Sequence, residues 1–449
     1  MEKEQKREVK KKRFSQGLPV INPYAGGIDV GDTKYDVAIS DGISGFEVRE
    51  YPTFTEDLED LVNWLKSEGI TTVAMESTGI YWLNLYLLLE EVGIEPYLVN
   101  AKHVKNVTGR KKDDTDAIWL QKLHCCGLLQ KSFQPEGEIR ILRNYVRQRK
   151  NLISICSDSV RRMQKALELM NIKIHTVISD ILGKTGIQMI RAILDGERDP
   201  DELIKLKDRR IKASDHDIKK SLVGIWKEEY LFMLKQAYDE YIFYQSQIFE
   251  CESKIKDQLL HHVAKVLNGD ITDLDVKKKA SRKNEFNFEI RPLLKIIAGV
   301  DICEVEGISE IFFLYIISEI GTDMSKWKNN KHFSAWLNLA PNTKITGGKI
   351  ISSKMQKKKN HAGQAFRMAA NSVKNCKSPM GNYARKMKSR LGKKAGNVAT
   401  AHKLAKIVFT MLKDKCPYNP NTITLTQEKW KERQIAYLEK QLDKLKKVA

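Results

Sequence analysis

The sequence predicts a mixed α/β domain, then a long helical coiled coil, then a mainly helical C-terminal region. Short apolar segments alternate with helical patterns between residues 24 and 99. Further on, apolar residues recur every three or four positions over about 140–172 and 226–265, which is the spacing of packed helices. A third helical pattern covers 293–415. The 449 residues are enough for two or three domains.

The N-terminal domain is expected over residues 21–135, after a basic arm (1–20) whose composition is typical of disorder. Three strands form a meander, predicted at 25–30, 35–40 and 46–51. Helices and strands then alternate, with helices from 55, over 81–91 and over 113–129, and strands at 71–75 and 96–99. A meander followed by this alternation predicts a mixed sheet.

The middle region, 136–292, is predicted to contain two long helices that pack as a coiled coil. In the second helix the seam has Gln245 and Glu252 as polar positions among apolar ones. The segment 173–225 between the helices is charged and weakly patterned, and 268–292 is a basic linker. We expect 293–415 to be a helical domain interrupted at 342–360, followed by a charged helical tail over 416–449.

The chain is strongly basic, with 77 Lys and Arg against 57 Asp and Glu and a formal net charge of +20. This excess favours a nucleic-acid partner, because neutralised phosphates release condensed counterions; a basic but ordinary soluble protein is the alternative. No apolar run has the ~18 residues of a membrane helix, so no membrane partner is expected. The seven cysteines form no CxxC pair, which favours reduced thiols and a cytoplasmic location.

Four carboxylates have informative positions. Asp29 lies within the first strand, Glu76 follows a later strand, and Asp113 and Asp116 open a helix three residues apart. Convergent carboxylates suit hard cations such as Mg²⁺, and two such ions support phosphoryl transfer. Alternatively, the helical pair only stabilises the positive N-terminus of its helix. We assign the neighbouring acids to turns or the surface: Asp32, Asp36 and Asp114.

These motifs resemble the DEDD transposase family of bacterial insertion sequences. The resemblance rests on GIDV (27–30), MESTGIYW (75–82), VNAKHVK (99–105) and GRKKDDTDA (109–117). It continues in SEIGTD (318–323), KHFSAWL (331–337) and APNTKITGGK (340–349). It covers nearly the whole chain except the arm, the 173–225 insert and the tail.

The resemblance implies a ribonuclease-H-like (RuvC-like) N-terminal domain, a coiled-coil middle and a C-terminal transposase domain. It implies that Asp29, Glu76, Asp113 and Asp116 bind the metal, and that a hydroxyl of the C-terminal domain attacks DNA covalently. It also implies a structured guide RNA that pairs with the element ends and the target DNA. Family members assemble as tetramers with sites shared between subunits, so we expect a dimer or tetramer acting on the bacterial nucleoid.

The chain departs from the family at two positions. The family's nucleophilic serine lies five residues after a proline and just before a glycine; counted from Pro341, that residue is Thr346, which keeps the hydroxyl. Ser352 and Ser353 are the alternative nucleophiles. The family also has a Gly-x-Gly hairpin at 305–309, whose second glycine is missing here, so we expect a remodelled hairpin.

Basic residues accompany both candidate catalytic segments. We predict that these side chains hold the phosphodiester backbone, although a run of charges is also typical of an ordinary solvated surface. The members near the aspartate pair are Lys102, His103, Lys105, Arg110, Lys111 and Lys112. Those near the hydroxyl segment are Lys349, Lys354, Lys357, Lys358 and Lys359, and a further cluster comprises Lys386, Lys388, Arg390, Lys393 and Lys394.

The sequence therefore predicts a DNA recombinase that combines a Mg²⁺-binding carboxylate tetrad with a Thr or Ser nucleophile. Two alternatives stay open. One is a RuvC-like nuclease that cleaves branched DNA by water attack. The other is a catalytically decayed nucleic-acid-binding protein.

Overall fold

The computed structural model describes residues 19–40, 45–100, 115–269, 284–355 and 360–421, together with 104, 276, 432, 435–436 and 438–439. The chain divides into two compact units, residues 1–134 and 135–449. Each unit is described by itself below.

The first unit contains a five-stranded sheet of order β3-β2-β1-β4-β5. The strands β1, β2 and β3 form an antiparallel meander, and β4 and β5 extend the sheet parallel to β1. Their bounds are Ala25–Val30 (β1), Lys34–Ser40 (β2), Phe46–Pro52 (β3), Thr72–Glu76 (β4) and Glu95–Val99 (β5). This mixed sheet, followed by a mostly helical chain, confirms the predicted fold class.

Helices cover both faces of the sheet, because side chains alternate between its faces along each strand. Helices α1 (Thr55–Ser67) and α2 (Trp82–Glu91) bury apolar side chains with one face, in a core that includes Ile28, Val37 and Leu61. Helix α3 (Asp116–Cys125) covers the other face with Trp119, Leu120 and Leu123. Asp29 and Glu76 belong to this second face.

Helix α3 is shorter than the sequence predicted. It begins at Asp116, because the hydroxyl of Thr115 accepts the N–H of Ile118 and caps the helix. It ends at Cys125, and Gly127 turns the chain with φ +67°. The predicted start at Asp113 lies outside the described residues, and the predicted end near Leu129 is wrong.

The second unit is organised by two long antiparallel helices, α4 (Gly137–Leu169) and α9 (Glu228–Val266). The seam is apolar at most positions and polar at the two predicted ones. Gln245 donates to the sulfur of Cys156 (3.2 Å), and Glu252 accepts two bonds from the buried Arg149 (2.6 and 2.8 Å). The predicted helical pair and its polar seam positions are confirmed.

The segment 173–225 folds into short helices with a core of their own, despite its weak sequence pattern. Buried Ile174, Met189 and Leu222 pack there with apolar residues of α4 and α9. Short helices offer too few turns for a clear period, so the core was not visible in the sequence. The helices are α5 (Ile174–Val177), α6 (Lys184–Leu194), α7 (Pro200–Leu203) and α8 (Asp215–Leu222), with a 3₁₀ turn at Ile204–Leu206.

The C-terminal region is mainly helical, as predicted, and its break contains a β-hairpin. The helices are α10 (Arg291–Ala298), α11 (Glu310–Ile320), α12 (Asn330–Trp336), α13 (His361–Val373) and α14 (Pro379–Asp414). The hairpin strands are β6 (Lys344–Thr346) and β7 (Lys349–Ser352), and 3₁₀ turns lie at Ile302–Glu304 and Met324–Lys326. Part of the predicted linker is packed, since Phe286, Phe288 and Ile290 are buried. Within the described residues, no helix is both long and apolar enough to span a membrane.

Candidate active site

Asp29 and Glu76 lie at the same end of two adjacent parallel strands. The register between β1 and β4 runs from Ala25–Thr72 to Ile28–Met75, so the next residue on each strand is Asp29 and Glu76. Both belong to the sheet face covered by α3, and both are partly buried. The sheet therefore brings two of the four predicted carboxylates side by side.

Helix α3 is positioned over β1 by direct backbone contact. A Cβ at Gly27 would lie 2.3 Å from the backbone nitrogen of Gln121 and 2.4 Å from the carbonyl oxygen of Ala117. The side-chain amide of Gln121 donates to the carbonyl of Ala25 (3.0 Å). Ala117 lies over Gly27, whereas the side chain of Gln121, one turn later, reaches back to Ala25. The N-terminal turn of α3 is therefore directed toward the Asp29 end of β1.

Asp116 is the first residue of α3, next to Ala117 and its contact with Gly27. Its side chain is exposed. A carboxylate at this position also interacts favourably with the positive end of the helix, which is the alternative role given to it in the sequence. The docking of α3 thus directs Asp116 toward the strand ends that carry Asp29 and Glu76.

A carboxylate that the sequence analysis assigned to a turn or the surface lies beside this group. Asp36 is within β2, paired directly with Asp29 across the antiparallel hairpin, and its other neighbour is Glu50 of β3. The ammonium of Lys34 lies 2.5 Å from a carboxylate oxygen of Glu50 and 3.8 Å from one of Asp36. It therefore balances the negative charge of these two acids. The tight turn after Val30 and the period of two were the signal that could have placed Asp36 opposite Asp29.

Four carboxylates form a row across the sheet, and their negative charges repel one another. Glu50, Asp36, Asp29 and Glu76 follow one another across four neighbouring strands, and strands are about 4.8 Å apart. Like charges on directly opposed residues are destabilising. Lys34 offsets this repulsion at the β3 edge.

The described residues contain no cluster of three or more His, Cys, Asp or Glu side chains arranged to hold a metal. Asp29, Glu76 and Asp116 therefore do not form a complete ligand set by themselves. The fourth predicted ligand, Asp113, lies outside the described residues. The donors that are described are carboxylate oxygens, which suit Mg²⁺.

The far end of α3 is anchored by a buried neutral histidine. The imidazole of His124 lies 2.9 Å from the hydroxyl of Thr72, which donates to the carbonyl of Glu95, so the histidine nitrogen is the donor. The ring also packs on Tyr97, with centroids 4.7 Å apart. Burial lowers the pKa of His124 to about 4, which keeps it neutral near pH 7.

Thr346 lies at the tip of the β6–β7 hairpin. It pairs with Lys349 across the two-residue turn Gly347–Gly348, whose φ angles of +54° and +75° are those of a tight hairpin turn. Residues 341–351 are all exposed, including Ile345 and Ile350. The hairpin therefore presents the hydroxyl of Thr346 to the surroundings.

The alternative nucleophiles lie at the base of this hairpin. Ser352 pairs with Lys344, and its hydroxyl accepts the N–H of Lys354 (3.3 Å). Ser353 follows β7 directly and is exposed. The base is closed by a bond from the N–H of Asn342 to the carbonyl of Lys354 (3.2 Å). Thr346 thus has the most projecting position of the three hydroxyls.

The 305–309 segment forms a turn that keeps the first glycine, since Gly307 has φ +87° and packs against Ala369 and Val373. At the position of the missing glycine, the Ser309 hydroxyl accepts the N–H of Phe312 and caps α11. The neighbouring Glu306 accepts a bond from the hydroxyl of Tyr418 (2.8 Å). The carboxylate of Glu306 beside this turn disfavours a phosphate there, because like charges repel.

The predicted phosphate-binding residues that are described comprise Lys349 and Lys354 on the hydroxyl segment and, on α14, the cluster Lys386, Lys388, Arg390, Lys393 and Lys394. Lys349 and Lys354 are exposed, one at the hairpin turn and one just after β7. The others lie outside the described residues: Lys102, His103, Lys105, Arg110, Lys111, Lys112, Lys357, Lys358 and Lys359. The basic character of the hydroxyl segment fits a polyanionic substrate.

A ribonuclease-H-like sheet with acidic residues at the ends of its adjacent parallel strands defines a class of enzymes that cut nucleic acids. Two family models narrow this class. One, described as "Transposase", matches residues 26–172, and one, described as "Transposase IS116/IS110/IS902 family", matches 301–385. Together they cover just over half of the chain, which belongs to this family of DEDD transposases. No curated protein matches the chain.

Proposed function

We propose that the chain cuts and rejoins DNA through a covalent protein–DNA intermediate formed by Thr346. The carboxylates Asp29, Glu76, Asp113 and Asp116 would hold Mg²⁺, with two ions in the full site. The observation that carries this proposal is the adjacency of Asp29 and Glu76 on parallel strands, beneath a helix that begins at Asp116.

The residues fit the metal in their chemistry. Asp29 and Glu76 offer hard carboxylate oxygen donors on adjacent parallel strands. When bound, Mg²⁺ would stabilise the charge that develops on the phosphate and on the leaving oxygen. Asp116, the exposed first residue of α3, and Asp113 would supply the remaining carboxylate ligands.

The covalent step conserves phosphodiester bonds. The hydroxyl oxygen of Thr346 bonds to the scissile phosphorus and gives its proton to a base. The bond from phosphorus to the DNA oxygen breaks, and that oxygen takes up a proton as a strand hydroxyl. A hydroxyl of the partner strand then attacks the same phosphorus and releases Thr346. Because a diester persists throughout, rejoining needs no ATP.

The exposed hairpin supports a site that is completed by another surface. The hydroxyl of Thr346 lies on strands with no buried residue, so the hairpin itself does not exclude water from the reaction. We propose a homo-oligomer, a dimer or tetramer, in which a second subunit supplies that surface. A structured guide RNA would select the element ends and the target DNA, and the protein would act on the nucleoid.

The proposed nucleophile is tested by trapping. Purified protein is incubated with its RNA, labelled element-end DNA and Mg²⁺, and covalent adducts are separated on a denaturing gel. Thr346→Ala should abolish the adduct, whereas Ser352→Ala and Ser353→Ala, matched hydroxyl deletions on the same segment, should retain it. An adduct that survives Thr346→Ala and disappears with a serine variant would transfer the role to that serine.

The carboxylate site is tested with Asp29→Asn, which keeps the shape of the side chain and removes its charge. We expect adduct formation to fall at least about a thousandfold with DNA binding retained. Glu50→Gln, at the lysine-balanced end of the same row, is the control and should stay within about threefold, because surface ion pairs contribute little.

The same gel separates the two rival functions. Efficient Mg²⁺-dependent cleavage without an adduct would support the branched-DNA nuclease. Binding of the element ends without cleavage or adduct would support a catalytically decayed binding protein.

A further inference from the structure

An open cleft in the second unit is lined by residues outside the β6–β7 hairpin. Its walls are helix α13 with the residues just after it, the first turn of α11 and the middle of α14. It encloses about 620 Å³, within the range of small-ligand pockets.

The lining is dominated by carboxamides and cations. Four residues with amide side chains line the cleft, together with the apolar Phe312 and Met368 and with Ser372. The described residues that line the cleft include no acid. The amides are Gln364, Asn371, Asn375 and Asn397, and the cations are Arg367 and Lys374.

The sequence folds so that these groups meet. Gln364, Asn371 and Asn375 are spaced by seven and four positions, so they follow one stripe of α13 and its C-terminal extension. The kink at Gly392 (φ +80°) reverses α14, and Gly396 then packs on the backbone of Lys388. The kink thereby brings the next residue, Asn397, to α13.

Asn397 has a fixed orientation. Its amide nitrogen donates to the carbonyl of Arg367 (3.0 Å), so its side-chain oxygen is the remaining acceptor. That oxygen is inaccessible in the free chain and has no hydrogen-bond partner in the described part of the chain. Arg367 is held in turn, since its guanidinium donates to the carbonyl of Asn338 (2.6 Å).

Positive charge continues along one rim. Arg385 donates to the carbonyl oxygen of Lys374 (2.8 Å). Lys388 is close enough to Lys374 and Lys393 that its pKa is lowered, first by burial and then by these two cations. Like charges gathered at one edge repel each other, and an anionic ligand there would relieve the repulsion.

We propose that this cleft binds an unstacked nucleotide of a nucleic-acid strand, with its base against the exposed amides of Gln364, Asn371 and Asn375 and its phosphate at Lys374. Asn and Gln side chains carry a donor and an acceptor, which match the edges of bases. Phe312 offers a surface on which a base packs, and the cationic rim holds the backbone. The inference rests on the proposed function only in taking nucleic acid as the partner.

The test measures binding, not cleavage. The probes are fluorescein-labelled 20-nucleotide oligo-dT and oligo-U and a 20-base-pair DNA duplex, and the readout is anisotropy at two salt concentrations. Gln364→Ala/Asn371→Ala should weaken single-strand binding about tenfold at unchanged salt dependence, since it removes contacts without charge. Lys374→Gln should weaken binding and lower the salt slope by about 0.7.

The controls lie on exposed positions of α9: Gln236→Ala for the amide loss and Lys254→Gln for the charge loss. Both should bind like the wild type. If the double variant misfolds, the near-isosteric Asn371→Asp takes its place and should weaken binding through its negative charge.

Weakening with oligo-U alone would identify an RNA strand as the occupant, and weakening with oligo-dT alone a DNA strand. Weakening with both would show a shared single-strand site. Equal binding by variants and controls, or a loss confined to the duplex, would overturn the inference. A wild type that binds the single strands but forms no DNA adduct would contradict the proposed function and leave the cleft assignment intact.

Discussion

The sheet that carries Asp29 and the hairpin that carries Thr346 are built in opposite ways. Asp29 lies on a central strand flanked by β2 and β4 and covered by a helix in backbone contact with Gly27. Thr346 lies on a two-stranded hairpin whose residues are exposed. The acidic side of the proposed site is therefore fixed by packing within its own unit, and the hydroxyl is not.

This difference suits the two parts of the proposed site to different roles. A rigid sheet holds charges at set distances, which metal binding and charge stabilisation require. An exposed hairpin adapts to the surface that meets it, and its short strands contribute little stability alone. Changes at the sheet should therefore alter both folding and activity, whereas changes at the hairpin should alter activity alone.

Two matched glycine substitutions, one in the sheet and one in the hairpin, should differ most strongly in their effect on stability. Gly27→Ala places a Cβ 2.3 Å from the backbone of α3, so we expect a loss of about 3 kcal/mol or more in unfolding free energy. DNA adduct formation should also fall, because the helix that carries Asp116 is displaced. Calorimetry of the full chain and the adduct gel measure the two effects.

Gly347→Ala is the counterpart in the hairpin turn. Gly347 has φ +54° and open space around its Cβ position, so the cost is backbone strain of about 1 kcal/mol, confined to the hairpin. The melting temperature should be unchanged while adduct formation drops. Similar melting temperatures for the two variants would show that α3 is not held by its contact with Gly27.

Low pH should lower the stability of the first unit through protonation of His124. Its pKa of about 4 in the folded chain lies below the ordinary histidine pKa of 6.5, so the unfolded chain takes up a proton first as pH falls. Stability contributed by the neutral ring is present above pH 6.5 and is lost between pH 6.5 and 4. From pH 7 to pH 5 the loss should be about 2 kcal/mol.

His124→Gln removes the titration and keeps a donor for Thr72. The unfolding temperature of the first unit should fall less between pH 7 and pH 5 in this variant than in the wild type. His216, on the exposed surface of α8, provides the control variant His216→Gln. An unchanged pH response in His124→Gln would place the acid sensitivity elsewhere.

The same contrast explains what the sequence could predict. Apolar periods of two and of three to four residues predicted the strands around Asp29 and the long helices, because those elements bury one face. The pairing of Asp36 with Asp29 and the seating of α3 on Gly27 are tertiary contacts that no local pattern contains. The exposed β6–β7 hairpin has no buried face, so its strands left only a composition signal.

Thr346→Ser tests the smallest difference, the methyl group on the proposed nucleophile. A threonine hydroxyl is more crowded and its χ1 is stiffer. Because the hairpin around Thr346 is exposed, no packing is lost when the methyl is removed. We therefore expect the adduct to form up to about tenfold faster, equivalent to about 1.4 kcal/mol in the barrier, with an unchanged melting temperature.

Thr343→Ser, at another exposed threonine of the same segment, is the control and should have no effect. A slower reaction of Thr346→Ser would mean that the methyl group contacts the surface that completes the site, and the hairpin would then be positioned on assembly by packing as well as by its turn.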